Sequence, residues 1–182
     1  MESLLRNRDG ITLVELMVTM GIMSLVIFGG AGILVNSSRS SAQIQTQSNI
    51  DSDVALAAEK LNHLLMETRS VTIDSNGLGL TYKLPPTNSD GAYISSAKEL
   101  ESTVRRIYLS GADLVTSVEP GRPILQDIPT IDPDTKTTLR IFQSGVGGKE
   151  IIIRLVSGKQ ATAGAHLSYS ILTTRINCRN IQ

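Results

Sequence analysis

The chain has 182 residues, 17 Lys+Arg against 17 Asp+Glu, four Tyr and two Phe. A balanced charge, with no Lys/Arg block and no aromatic-interleaved basic patch, argues against a nucleic-acid partner. The single cysteine, Cys178, forms no intramolecular disulfide and is expected to be a buried or inert thiol. With the N-terminal segment set aside, the remaining length suits one domain.

The first distinctive element is RNRDGITLVELMVTMGIMSLVIFGGAGILV, residues 6–35. Residues 16–35 carry no charge, and only Thr19 and Ser24 are polar. Twenty residues at about 1.5 Å each span roughly 30 Å, the thickness of a bilayer's hydrocarbon core. Arg6 and Arg8 lie upstream, and Arg39 is the first cation downstream. That bias places the N-terminus in the cytoplasm. A cleaved secretory signal, with GGAG at 29–32 imitating its cleavage site, is one reading, but it wants a shorter apolar core. A plain anchor is another, but it leaves Glu15 unexplained, and an acid at the edge of a span is costly without a partner. A cut after Gly10 explains the acid. Ile11 then carries a new positive amine, and Glu15 lies at i+4 on the same face of a helix. Gly10, lacking Cβ, gives a protease close access to the backbone.

Gly10 to Leu16, G-ITLVEL, resembles the prepilin processing motif of type IV pilins and type II secretion pseudopilins. The resemblance implies that a membrane-embedded prepilin peptidase cuts after Gly10 on the cytoplasmic side and N-methylates Ile11. It implies that Glu15, fifth in the mature chain, serves subunit assembly. Two residues depart from the usual pattern: Ile rather than Phe follows the cut, and Asp9 precedes Gly10.

Downstream, no Gly or Pro occurs between Ile33 and Ser75. Ile50, Val54, Ala57, Leu61, Leu64 and Leu65 recur at helical spacing. The reading is one helix from about Ile11 to Arg69, membranous in its first half and laying a stripe on a globular domain in its second. SNID and DSDV, near 48–53, offer caps at which it would break. Beyond Thr72 the pattern turns to strands. Residues 77–84 read as a strand and 85–91 as a loop. A hairpin is expected over 103–109 and 112–118. The Pro-rich 119–134 reads as a loop. Residues 138–143, 150–156 and 167–177 read as a three-stranded antiparallel meander, joined by the turn-rich SGVGG and SGKQATAGA. The segments 107–128 and 171–180 resemble the J-type pseudopilins and W-type minor pilins, which implies a low-abundance subunit near a fibre tip.

Other candidate chemistry is thin. His63 and His166 are far apart and read as solvated or packed. Asp51/Asp53 reads as a cap or solvated face, and Asp132/Asp134, in IDPDT, as an Asp-Pro turn. Neither pair offers the roughly six to eight oxygens calcium takes. GVGGK at 145–149 lacks P-loop spacing and reads as a hairpin turn. Arg105 and Arg106 alternate faces in a strand. No nucleophile grouping stands out, so the chain reads as a non-enzyme without cofactor or metal.

The expectation is an α+β pilin-like chain: a long N-terminal helix packed on an antiparallel sheet. Its parts are a leader (1–10), an apolar transmembrane and assembly helix (11–35), an amphipathic continuation (36–70) and a β-rich head (71–182). Its partners are prepilin peptidase, the inner membrane and other pilin or pseudopilin subunits. The C-terminal domain is expected in the periplasm before assembly into a pilus or pseudopilus. The alternative is a single-pass membrane protein with a periplasmic sensing or binding domain, which keeps residues 1–10.

Overall fold

The structure is a computed structural model. It describes residues 12–88, 90, 94, 101, 103–145, 150–161 and 166–178. One helix, α1 (Leu13–Met66), is followed by seven strands: β1 (Ser70–Ile73), β2 (Gly79–Lys83), β3 (Arg105–Ser110), β4 (Asp113–Thr116), β5 (Phe142–Ser144), β6 (Glu150–Gln160) and β7 (Leu167–Asn177). Two compact units divide the chain, Met1–Ala42 and Gln43–Gln182.

The described part of the first unit is helical from Leu13 onward, and its large apolar side chains are exposed. Leu25 and Phe28 are 75% and 78% exposed. The two polar side chains of the apolar stretch are satisfied within the helix. Thr19 Oγ1 donates to the Leu16 carbonyl at 2.9 Å, and Ser24 Oγ to that of Met20 at 2.7 Å. Back-bonding of this kind leaves no side-chain donor unmet in an apolar surrounding.

The second unit is α+β. The helix runs through residues 48–53 without the break that SNID and DSDV suggested. Neither aspartate caps a helix: Asp51 accepts a bond from Gln47, one turn before it, and Asp53 pairs with Lys159. Ile50, Val54, Ala57, Leu61 and Leu65 are buried as one stripe; Leu64, also expected there, is only half-buried. Spacings of four, three, four and four keep these five on one face, whereas Leu64 lies a residue short of it.

The helix ends at Met66, before the expected Arg69. The Thr68 amide and hydroxyl both donate to the Leu65 carbonyl, at 3.2 and 2.7 Å, and the chain turns there. The β-branched run Val71-Thr72-Ile73 then forms β1, a strand missing from the sequence reading.

Two antiparallel sheets result, rather than one, in the orders β1-β2-β3-β4 and β5-β6-β7. In the first, the register Ile73↔Leu80, Leu80↔Ile107 and Leu109↔Leu114 puts apolar residues on one face. In the second, Phe142↔Ile153, Ile151↔Ile176 and Leu155↔Leu172 do the same. These faces and the helix stripe form a single apolar cluster that also takes in Leu125, Ile128, Leu139, Ile141 and Cys178. The Pro-rich 119–134 is irregular as expected, but it supplies Leu125 and Ile128 to this core.

Two glycines are needed where they stand. Gly111 (φ 65°) begins the turn between Ser110 and Asp113 that joins β3 to β4. Gly77 (φ 70°) links the two sheets: its carbonyl accepts from the amides of both Ile141 and Phe142 at 2.9 Å. A Cβ there would lie 3.0 Å from the Phe142 carbonyl oxygen. This tie also shortens β5. The expected strand over 138–143 is ladder-paired only at Phe142–Ser144; upstream of it the Ile141 amide goes to Gly77 and the Leu139 amide to Thr130. β6 runs on through Ser157–Gln160, which the sequence reading gave to a turn. There Ser157 Oγ donates to the Gln126 carbonyl and the Gly158 amide to Asp127.

Candidate functional site

The expected processing residues Gly10 and Ile11 lie outside the described residues. The described site begins at Thr12. Its hydroxyl accepts the Glu15 amide at 3.2 Å, while Glu15 Oε2 accepts both the Thr12 amide and the Thr12 hydroxyl, each at 3.2 Å. This reciprocal capping box satisfies two donors that a helix start leaves open. The carboxylate also lies at the positive end of the helix dipole. Both bonds fall on Oε2; among the described residues Oε1 accepts none. The sequence reading singled out Glu15 but missed Thr12. T-x-x-E ahead of an apolar run is itself a helix-start signature, and it was legible in TLVE.

Behind this cap lies the exposed apolar surface of residues 13–35. Among the described residues, α1 is the one helix long and apolar enough to cross a membrane.

The remaining candidates resolve into structure. The strongest electrostatic feature is Asp132, which is 3% exposed. Arg154 grips both of its oxygens, Nε on Oδ2 and Nη2 on Oδ1. The amides of Asp134 and Thr135 donate to Oδ1, closing an Asx turn. The Arg154 hydrogen bond holds the carboxyl down at about 2, from an ordinary 3.8; burial opposes this, while the two amides and the Arg154 charge assist. Asp132 in turn raises the Arg154 guanidinium above its usual range. Arg154 also reaches Asp134 and Thr173. Its guanidinium thus stands where a calcium ion bridging Asp132 and Asp134 would need to sit. Asp132 is more than an Asp-Pro turn residue: it pins the irregular segment to β6.

His63 is exposed in the last turn of α1, where a base suits the helix's negative end. His166 is exposed ahead of β7. Among the described residues no three His, Cys, Asp or Glu side chains gather into a metal site. Cys178 is buried in the core, and burial pushes its thiol pKa up, away from the reactive thiolate. Arg105 and Arg106 do alternate: Arg105 is half-buried against Glu101, and Arg106 is exposed, paired with Asp74 at 2.6 Å and stacked over Tyr108. Of GVGGK only Gly145 is described, and its amide donates to the Glu150 carbonyl at 2.7 Å. The segment joins the antiparallel strands β5 and β6, as a hairpin connection does.

The family model of the prokaryotic N-terminal methylation motif matches residues 5–31. That motif is the prepilin-type signal of type IV pilins and pseudopilins, and this chain carries it on an apolar helix continuous with an α+β, pilin-like arrangement. The motif marks a prepilin-like substrate of prepilin peptidase that assembles with other pilin subunits. It points to a structural subunit rather than an enzyme, and it fits membrane anchoring followed by pilus assembly. Comparison with curated proteins and with solved structures gave no match.

Proposed function

We propose that this chain is a minor, tip-proximal or initiating subunit of a type IV pilus or pseudopilus. Residues 1–10 are its leader, 11–35 its transmembrane and assembly segment, 36–70 the continuation that carries the head, and 71–182 the head. Prepilin peptidase cuts after Gly10 and methylates Ile11. The head lies in the periplasm while the helix waits in the inner membrane, and the subunit then moves into a filament. The observation that carries this reading is the methylation motif over residues 5–31, set on a helix whose apolar side chains are exposed.

The chemistry assigned to Glu15 follows from its surroundings. After the cut the Ile11 amine lies one residue from Thr12, whose cap holds the Glu15 carboxylate at the helix start. Oε1 is available to that amine or to the amine of a neighbouring subunit. Among packed apolar helices an unpartnered charge is costly, so a subunit seats stably only when carboxylate and amine meet. Minor status draws on the resemblance of 107–128 and 171–180 to the J-type and W-type subunits.

Two experiments test this. Co-expression with active prepilin peptidase should shorten the chain by its leader, and an inactive peptidase should leave it intact. Shortening that does not depend on the peptidase would contradict the assignment. Glu15→Val should be cleaved normally yet be depleted from sheared filaments relative to membranes. Normal recovery in filaments would remove the assembly role from Glu15.

A further inference from the structure

The clamp between Asp132 and Arg154 borders a cavity of about 310 Å³. The floor of this cavity is the solvent side of the second sheet: Gln143 of β5, Ile152 and Arg154 of β6, and Thr173 of β7. The register brings these four together, because Gln143 pairs with Ile152 and Arg154 with Thr173. The wall is the irregular segment 132–140, and the chain's own bonds hold its shape. Ile131 bridges to Thr138, the Asp132 amide donates to the Thr137 carbonyl, and the Lys136 amide to that of Asp132, both at 2.9 Å. The volume falls at the lower end of the range of small-ligand sites, and a preformed wall spares a ligand the cost of ordering it.

The polar groups of the lining are unequally satisfied. Arg154 gives its donors to Asp132, Asp134 and Thr173. Arg140 is exposed and forms no ion pair among the described residues. Its Nη2 donates to the Ser75 carbonyl at 2.9 Å, and its Cβ lies 3.2 Å from where a Cβ on Gly77 would stand. These two contacts fix the guanidinium, while Nε and Nη1 have no partner among the described residues. The Gln143 amide and the Thr138 hydroxyl are open in the same sense. Within the lining Asp132 and Arg154 neutralise each other, so Arg140 is left as an uncompensated positive charge; Asp134 binds Arg154 from outside the lining.

These groups select a ligand by their chemistry. A positioned guanidinium with open N–H donors takes an oxyanion through charge-assisted hydrogen bonds. Gln143 and Thr138 each offer a donor and an acceptor, and sugar hydroxyls ask for both. Ile152 and the threonine methyls give apolar contact to the C–H face of a ring. We propose that this cavity binds an acidic monosaccharide, its carboxylate on Arg140 and its ring hydroxyls on Gln143 and Thr138. The same chemistry is met in a free uronic acid and in a uronic acid at the end of a glycan. The site is independent of processing at Gly10 and of Glu15.

The test uses the full chain in phosphatidylcholine nanodiscs and equilibrium dialysis against radiolabelled glucuronate. The wild-type chain should bind glucuronate saturably, and glucose, which lacks the carboxylate, at least about tenfold more weakly. Arg140→Gln should bring glucuronate down to the level of glucose. Gln143→Ala, at an exposed position with the Arg140 charge kept, should weaken both sugars by a similar factor. It also tests the site if Arg140→Gln loosens the fold through Ser75, which thermal unfolding of each variant reveals. Arg122→Gln, at an exposed arginine outside the cavity, should change nothing. The methyl glycoside of glucuronate stands for a glycan end: binding like the free acid points to a glycan, and weaker binding to the free acid, and either supports the site. No saturable glucuronate binding at millimolar concentrations, glucose binding as tight as glucuronate, acetate displacing glucuronate as well as the unlabelled sugar acid does, or binding unchanged by Arg140→Gln would overturn the proposal.

Discussion

The two halves of α1 use apolar residues for opposite ends. Between Gln43 and Met66 they recur at spacings of three and four, and the chain's own sheets bury them; Leu61 and Leu65 are inaccessible to solvent. Between Leu13 and Val35 they surround the helix, and they stay exposed. A stripe needs one apolar neighbour, whereas a helix apolar all round needs an apolar medium or other helices on every side. The back half thus completes a fold, and the front half is built for a membrane and then for neighbouring subunits.

This contrast is open to attack by mutation. The largest effect belongs to the back half. Leu61→Ala should destabilise the second unit by about 3 kcal/mol through the cavity it leaves. Leu25→Ala, at a position 75% exposed, should leave calorimetric unfolding of that unit in detergent unchanged. A loss at Leu25 equal to that at Leu61 would erase the distinction.

Next comes acid. The folded Asp132 carboxyl lies at about 2, below its ordinary 3.8. Its pairing with Arg154 therefore contributes fully above the ordinary value and is lost as pH falls through the folded one. About 2 kcal/mol should disappear from the second unit's stability between about pH 4 and pH 2, and Asp132→Asn should flatten that part of the profile. The smallest effect is at the front. Thr12→Ala should cost about 1 kcal/mol of local helix stability. Amide exchange should quicken in the first turn, with no change in unfolding of the second unit.

The contrast also bears on what the sequence made legible. The apolar stretch, the stripe and most strand cores follow from periodicities that short windows contain. Ile50 to Leu65 and the β6 run EIIIRLV are of this kind. The methylation motif over residues 5–31 was readable because it is contiguous. Features joining distant residues were not. Arg154 and Asp132 lie twenty-two residues apart, and nothing local says that IDPDT will be clamped by a strand arginine. β5 is shorter than expected because, ahead of it, the Ile141 amide goes to Gly77, some sixty residues upstream, and the Leu139 amide to Thr130. β1 was missed because the helical pattern runs on to its threshold and one threonine, Thr68, turns the chain. Thr12 is the exception, because its capping role is written locally, three residues before Glu15.

The most direct test of the central claim is intact-mass and N-terminal fragment spectrometry of the chain from cells that contain prepilin peptidase. A mature chain beginning at an N-methylated Ile11 is the predicted result. A chain beginning at Met1, or one cut near Ile33, would contradict it.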